Sequence, residues 1–273
     1  MKTIQITTWI VLLLAVFPAV LRAQSKDGDQ FNIALSNPEK PFKLNMNLGG
    51  GSLNINTYEG SELRITAFPQ ANTNDNSSRG KNQNVNINTN TNVNVNVNSG
   101  AAGRDKNNRN KLLKVSQNGN AVMIGQLNQN RALHVEVSLP EHVAGQLEIT
   151  CADGPVVLKN ISGSAIVTTV NGNVTATFRN VDPKTPMAFS TLIGAIDLSF
   201  PATAKASLTI KSDEGILLSD FGLTGPVKSK LSRNNNGKYQ SKIAGNLSGN
   251  LNGGGQEISI TNMQGNIYLR KSK

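Results

Sequence analysis

The sequence predicts an all-β fold, a parallel β-solenoid with glycine corners, and two observations carry that expectation. The first is a glycine that returns in register with apolar residues. Leu147 and Ile149 precede Gly154, and Val156 and Leu158 follow it; Ala165 and Val167 precede Gly172, and Val174, Ala176 and Phe178 follow it. Met187 and Phe189 precede Gly194, with Ile196, Leu198 and Phe200 after it. Gly215 (Leu208, Ile210, then Leu217 and Phe221) and Gly265 (Ile258, Ile260, then Ile267 and Leu269) repeat the pattern. Apolar side chains thus sit seven and five residues before a glycine and two and four after it, except that Ser219 holds the fourth position after Gly215, and a Phe follows at six where the strand is long enough. Alternation on both sides of a fixed turn means strand, corner, strand. The second observation is the nine-residue spacing of Gly154, Gly163 and Gly172, which lets one strand serve two successive corners, as a coiled path does. Such units bury their apolar faces only by stacking on one another. Asn-Gly at 171–172 is also a hairpin signal, so an antiparallel β-sandwich is the alternative.

In chain order, residues 1–23 read as a signal peptide. Lys2 supplies a positive start, Ile10 to Val16 an apolar run, and Leu21-Arg22-Ala23 a small-residue cleavage context. The run is short and broken by Pro18, so no membrane span is expected after cleavage. Residues 24–273 read as a single β-repeat domain. From Phe31 to Phe68 the pattern appears first, with Leu44 and Met46 before Gly51 and Leu53 and Ile55 after it. Leu63 and Ile65 follow Gly60 with a one-residue slip, which predicts a bulge or register change there. At about 72–110 lies a low-complexity Asn-rich insertion, with Asn at every even position from 82 to 98. Regular Asn could form ladders with identical segments, which would favour self-association through this stretch; the alternative is a mobile insertion dispensable to the core. Strands are expected at Leu113 to Val115, Ala121 to Ile124 and His134 to Leu139, before the main repeat. At about 226–250 a basic hairpin insertion is expected around Asn234-Asn235-Asn236-Gly237. The final strand ends in Arg270-Lys271-Ser272-Lys273, whose charges would discourage pairing at a sheet edge.

The chain carries 27 Lys and Arg against 17 Asp and Glu, a formal charge of +10 to which Lys2 and Arg22 contribute two. This balance favours anionic partners. Between Arg79 and Lys114 no aromatic platform or groove-reading motif accompanies the charge, so nucleic acid is not expected. An anionic polysaccharide or lipid surface fits better. Cys151 is the only cysteine and alternates with Leu147 and Ile149, so it reads as a buried structural thiol. Phe178, Phe200 and Phe221 occupy equivalent repeat positions and are expected to stack in the interior.

Several phrases carry a family resemblance: Gly51 to Gly60, Val135 to Pro140, Val170 to Val174, Pro186 to Asp197, Ser219 to Phe221, Gly253 to Gly255 and Gly265 to Arg270. In their order they resemble the adhesin-like β-repeat family of exported bacterial proteins, a domain of unknown function of the Bacteroidota type. The resemblance implies a noncatalytic, adhesin-like or structural β-solenoid in the envelope of a Gram-negative bacterium, periplasmic or at the surface. It implies no catalytic, cofactor-binding or metal-binding residue, and its partner would be an unknown envelope component.

The residues supply little for an enzyme. His134 and His142 are the only histidines and lack metal-ligand spacing, although His134 and Glu136 share a strand face. The alternative function is a carbohydrate-active solenoid enzyme, a polysaccharide lyase or hydrolase using a carboxylate pair. Its candidate acids are Asp153, Asp197, Asp213, Glu214 and Asp220. Trp9, the sole tryptophan, leaves with the signal peptide, so aromatic platforms for sugar rings are scarce.

Overall fold

A computed structural model describes residues 28–70, 111–225, 231–234 and 237–272. The expected signal peptide at 1–23 and the Asn-rich insertion at about 72–110 lie outside the described residues. Among the described residues there are eighteen strands and no helix, hence no helix long and apolar enough to cross a membrane. The strands are β1 (Asp29–Ala34), β2 (Phe42–Leu48), β3 (Gly51–Tyr58), β4 (Glu62–Pro69), β5 (Leu113–Asn118) and β6 (Ala121–Gln126). Next come β7 (Leu133–Pro140), β8 (Gly145–Asp153), β9 (Val156–Asn171), β10 (Val174–Val181), β11 (Met187–Ile193) and β12 (Ile196–Phe200). The chain ends with β13 (Ala206–Ser219), β14 (Leu223–Thr224), β15 (Ser232–Arg233), β16 (Tyr239–Leu251), β17 (Gln256–Gln264) and β18 (Ile267–Lys271).

Burial follows the apolar alternation. Ile149, Val167, Ile196, Ile210 and Ile267 are all at most 1% exposed, as the register around the glycines requires. The corner glycines stack into one ladder across neighbouring strands. A Cβ on Gly154 would overlap the carbonyl oxygen of Gly51, one on Gly172 that of Gly154, and one on Gly194 that of Gly172. The ladder continues through Gly265 against Gly194 and Gly215 against Gly265. Backbone bonds tie each rung, Gly172 N–H to Ile193 O at 2.9 Å and Gly194 N–H to Gln264 O at 2.9 Å.

Three residues before the corners at Gly154, Gly172, Gly194, Gly265 and Gly215, the inward position is polar or a thiol: Cys151, Thr169, Thr191, Asn262 and Ser212 are neighbours in register and buried. The corner turns carbonyl groups inward, and buried carbonyls need donors. Thr191 Oγ1 donates to Gly172 O at 3.0 Å, and Asn262 Nδ2 donates to Gly265 O at 2.8 Å.

The solenoid expectation is overturned by the order of the strands. A solenoid stacks its coils in chain order and stays open at both ends. Here β17 enters between β11 and β13, so chain order is broken. Pairing also closes on itself: β9, β10, β12, β18, β13, β17 and β11, then β9 again, form a seven-stranded parallel barrel. Closure is available because β9, of 16 residues, and β13, of 14, are long enough to border both sides of the ring. A closed ring leaves no unpaired edge among its members. The antiparallel sandwich does not appear either, since every pair in the ring is parallel. Antiparallel pairs lie outside it: β1–β4, β4–β7, β5–β6, and β16 with β13, β14 and β15.

Two local expectations resolve differently from the repeat pattern. The one-residue slip after Gly60 is a chain reversal rather than a bulge. β4 runs antiparallel to β7, while β3 runs parallel to it on the other side, so Leu63 and Ile65 reach the core from a reversed strand. The last strand, β18, is not an edge: it lies between β12 and β13. Its charges therefore serve something other than edge protection.

Candidate functional site

Strands β10, β12 and β18 run in one direction, so their C-terminal ends gather at one end of the barrel. A cleft of about 680 Å³ opens there, lined by Thr177, Arg179, Ser199, Asp220, Arg270 and Lys271, among other residues. Alternation decides what faces it. In β10, Ala176 and Phe178 point inward, leaving Thr177 and Arg179 outside; in β12 and β18, Phe200 and Leu269 point inward, leaving Ser199 and Arg270 outside. Phe178 and Phe200 stack beneath with ring centroids 5.4 Å apart and planes 13° apart. Phe189 meets Phe178 edge-on at 6.1 Å. Phe221 is also buried, and Lys271 Nζ lies 5.3 Å from its ring centroid.

The electrostatics of the cleft are those of cations held in place by nearby acids. Arg270 Nε donates to Asp197 Oδ1 at 2.8 Å and Oδ2 at 2.9 Å. That hydrogen bond is the main cause that raises the Arg270 pKa above its ordinary value. The same guanidinium lies over the Tyr268 ring at 5.0 Å. Arg179 donates to Thr57 Oγ1 at 3.2 Å and to Glu141 Oε2 at 3.1 Å through one terminal nitrogen. Neither set of bonds engages all five N–H donors of a guanidinium. Asp220 accepts the Lys271 backbone N–H at 3.2 Å and pairs with Lys238 Nζ at 3.3 Å.

The expected acids do not converge as an acid–base pair. Asp197 on β12 and Asp220, just past the end of β13, flank β18, and both act electrostatically on Arg270 between them. Asp153 accepts from Asn171 Nδ2 at 3.1 Å at its corner. Asp213 and Glu214 belong to β13 at the far end of the glycine ladder. Among the described residues no group of three or more His, Cys, Asp or Glu is placed to hold a metal ion.

Sequence reasoning missed one hydrogen-bonded chain. His134 Nδ1 lies 2.6 Å from Ser52 Oγ, and its Nε2 lies 3.2 Å from Glu136 Oε1. His134 and Glu136 do share a face of β7, while Ser52 arrives from β3, directly opposite His134. No spacing in the chain links positions 52 and 134, because strand pairing alone joins them. The side chains of His134 and Glu136 are 38% and 60% exposed, so water surrounds the arrangement. His142 is exposed in the turn after β7 and takes no part. Cys151 is buried, donates to Asp153 O at 3.6 Å, and has its thiol pushed up to about 11 by burial.

No protein-family model matches this chain, and no curated protein matches it. One solved structure shares its fold, the crystal structure of a "putative cell adhesion protein" from Clostridium sporogenes ATCC 15579. The two are 14% identical with a TM-score of 0.52, over 90% of this chain and 99% of the clostridial one. The likeness is one of fold.

Proposed function

We propose that this protein is an exported, noncatalytic, adhesin-like binding module of the cell envelope. The observation that carries the reading is the fold shared with the clostridial "putative cell adhesion protein" along nearly the whole of both chains. The chemistry of the cleft agrees with it. Its acids orient cations instead of facing each other, which suits holding a ligand and not protonating a glycosidic oxygen. The apolar run at Ile10 to Val16 supports export.

Fractionation of the producing cell, combined with crosslinking, tests location and partner together. Recovery in the envelope or outside the cell, crosslinked to an envelope component, is the expected outcome. Recovery in the cytoplasm would end the reading. Beads coated with residues 24–273 should bind producing cells, and this binding should persist when the cells are metabolically inert.

A further inference from the structure

Resting on the binding-module reading above, we infer that the cleft at the ends of β10, β12 and β18 is a binding site for a carboxylate-bearing polysaccharide, of the uronic acid class. Three cations, Arg179, Arg270 and Lys271, line it against one carboxylate, Asp220. That carboxylate is matched by Lys238, which approaches from outside the lining. Asp197 and Glu141 hold the two guanidinium groups in fixed orientations while leaving other N–H donors unused. A planar guanidinium fork matches a carboxylate in two parallel hydrogen bonds, where an ammonium offers only a point charge. Thr177, Ser199 and Asn160 place hydroxyl and amide groups in the same lining, the partners that sugar hydroxyls require.

The shape chooses between anionic surfaces. A lipid headgroup layer is met by an exposed cationic patch or an apolar helix face. Here the cations line a concave space of about 680 Å³, inside the usual range of roughly 300–1,000 Å³ for ligand pockets. Phe178 belongs to its lining and stacks on Phe200.

Calorimetric titration of residues 24–273 with a short oligogalacturonate tests this, with its methyl ester and phosphatidylglycerol-containing vesicles as further probes. The expected result is binding of the acid form that weakens with salt, and little binding of the ester or vesicles. The double variant Arg179→Gln/Arg270→Gln should weaken binding at least about tenfold, as expected for losing hydrogen bonds to a charged group. Lys43→Gln/Lys211→Gln removes the same charge elsewhere and should bind as the parent does. Thermal melts of both variants confirm folding. Equal losses in the two double variants, equal binding of the ester, or binding to vesicles alone would overturn the assignment. If coated beads of the Arg variant still adhere to cells, the cleft assignment fails while the adhesin-like reading stands. If the parent protein fails to adhere, the broader reading fails first.

Discussion

Thr191 Oγ1 donates to the carbonyl oxygen of Gly172 at 3.0 Å, the oxygen that a Cβ on Gly194 would overlap. One corner therefore depends on two residues of the next strand-and-corner unit, a glycine that leaves space and a threonine that supplies a donor.

Gly194 also has φ +148°, a conformation that a side chain adopts only under strain. Gly194→Ala should destabilise the protein by more than the roughly 1–3 kcal/mol of backbone strain alone, because the carbonyl must also move. Gly125→Ala, with nothing within 4 Å of its Cβ, should stay within about 0.5 kcal/mol of the parent. Denaturant unfolding compares the two, and similar midpoints would discredit the ladder.

The inward polar row separates into two kinds. Thr169 Oγ1 is buried without a hydrogen-bond partner, whereas Thr191 Oγ1 donates to its corner. Thr169→Val should be neutral or stabilising by about 1 kcal/mol, and Thr191→Val destabilising by about 1–3 kcal/mol, since it leaves a corner carbonyl without its donor. Equal losses in both variants would show that Thr169 has a partner in solution.

Cys151 should resist thiol reagents at pH 8 in the folded protein and react at once in denaturant. Burial raises its pKa to about 11, from an ordinary thiol value of 9.0. A raised folded value means the folded state holds the proton more tightly. The associated stability is complete below the unfolded pKa and is lost as pH rises toward 11. Cys151→Ala should flatten the fall in stability between about pH 9 and 11. An unchanged slope would place the thiol in water.

The noncatalytic proposal makes its own forecast at Ser52. The hydrogen bond to His134 resembles part of a nucleophile-activating relay, but it lies on an exposed face where water screens such activation. A fluorophosphonate probe should label the parent no more than Ser52→Ala. Stoichiometric labelling at Ser52 would refute the noncatalytic reading.

How much of this was legible in the chain varies by scale. Ile149, Val167 and Ile196 could be assigned inward because alternation is a local property of a strand. The burial of Cys151 followed from the same parity. Thr191 and Asn262 share that inward parity, yet they were passed over because the apolar rule stopped five residues before the glycine. In the chain alone Arg270 looks like edge protection, since nothing near it shows that β18 has neighbours on both sides.

By itself, the sequence determined the all-β character, the glycine corners and the inward set, because each follows from side-chain alternation and backbone freedom within a few residues. Only the tertiary structure decided that β17 lies between β11 and β13, that the ring closes, and that Arg179 meets Arg270 at one cleft. Strands with the same apolar inner face can exchange neighbours without changing their own pattern. Their order is set by packing and closure across the whole chain.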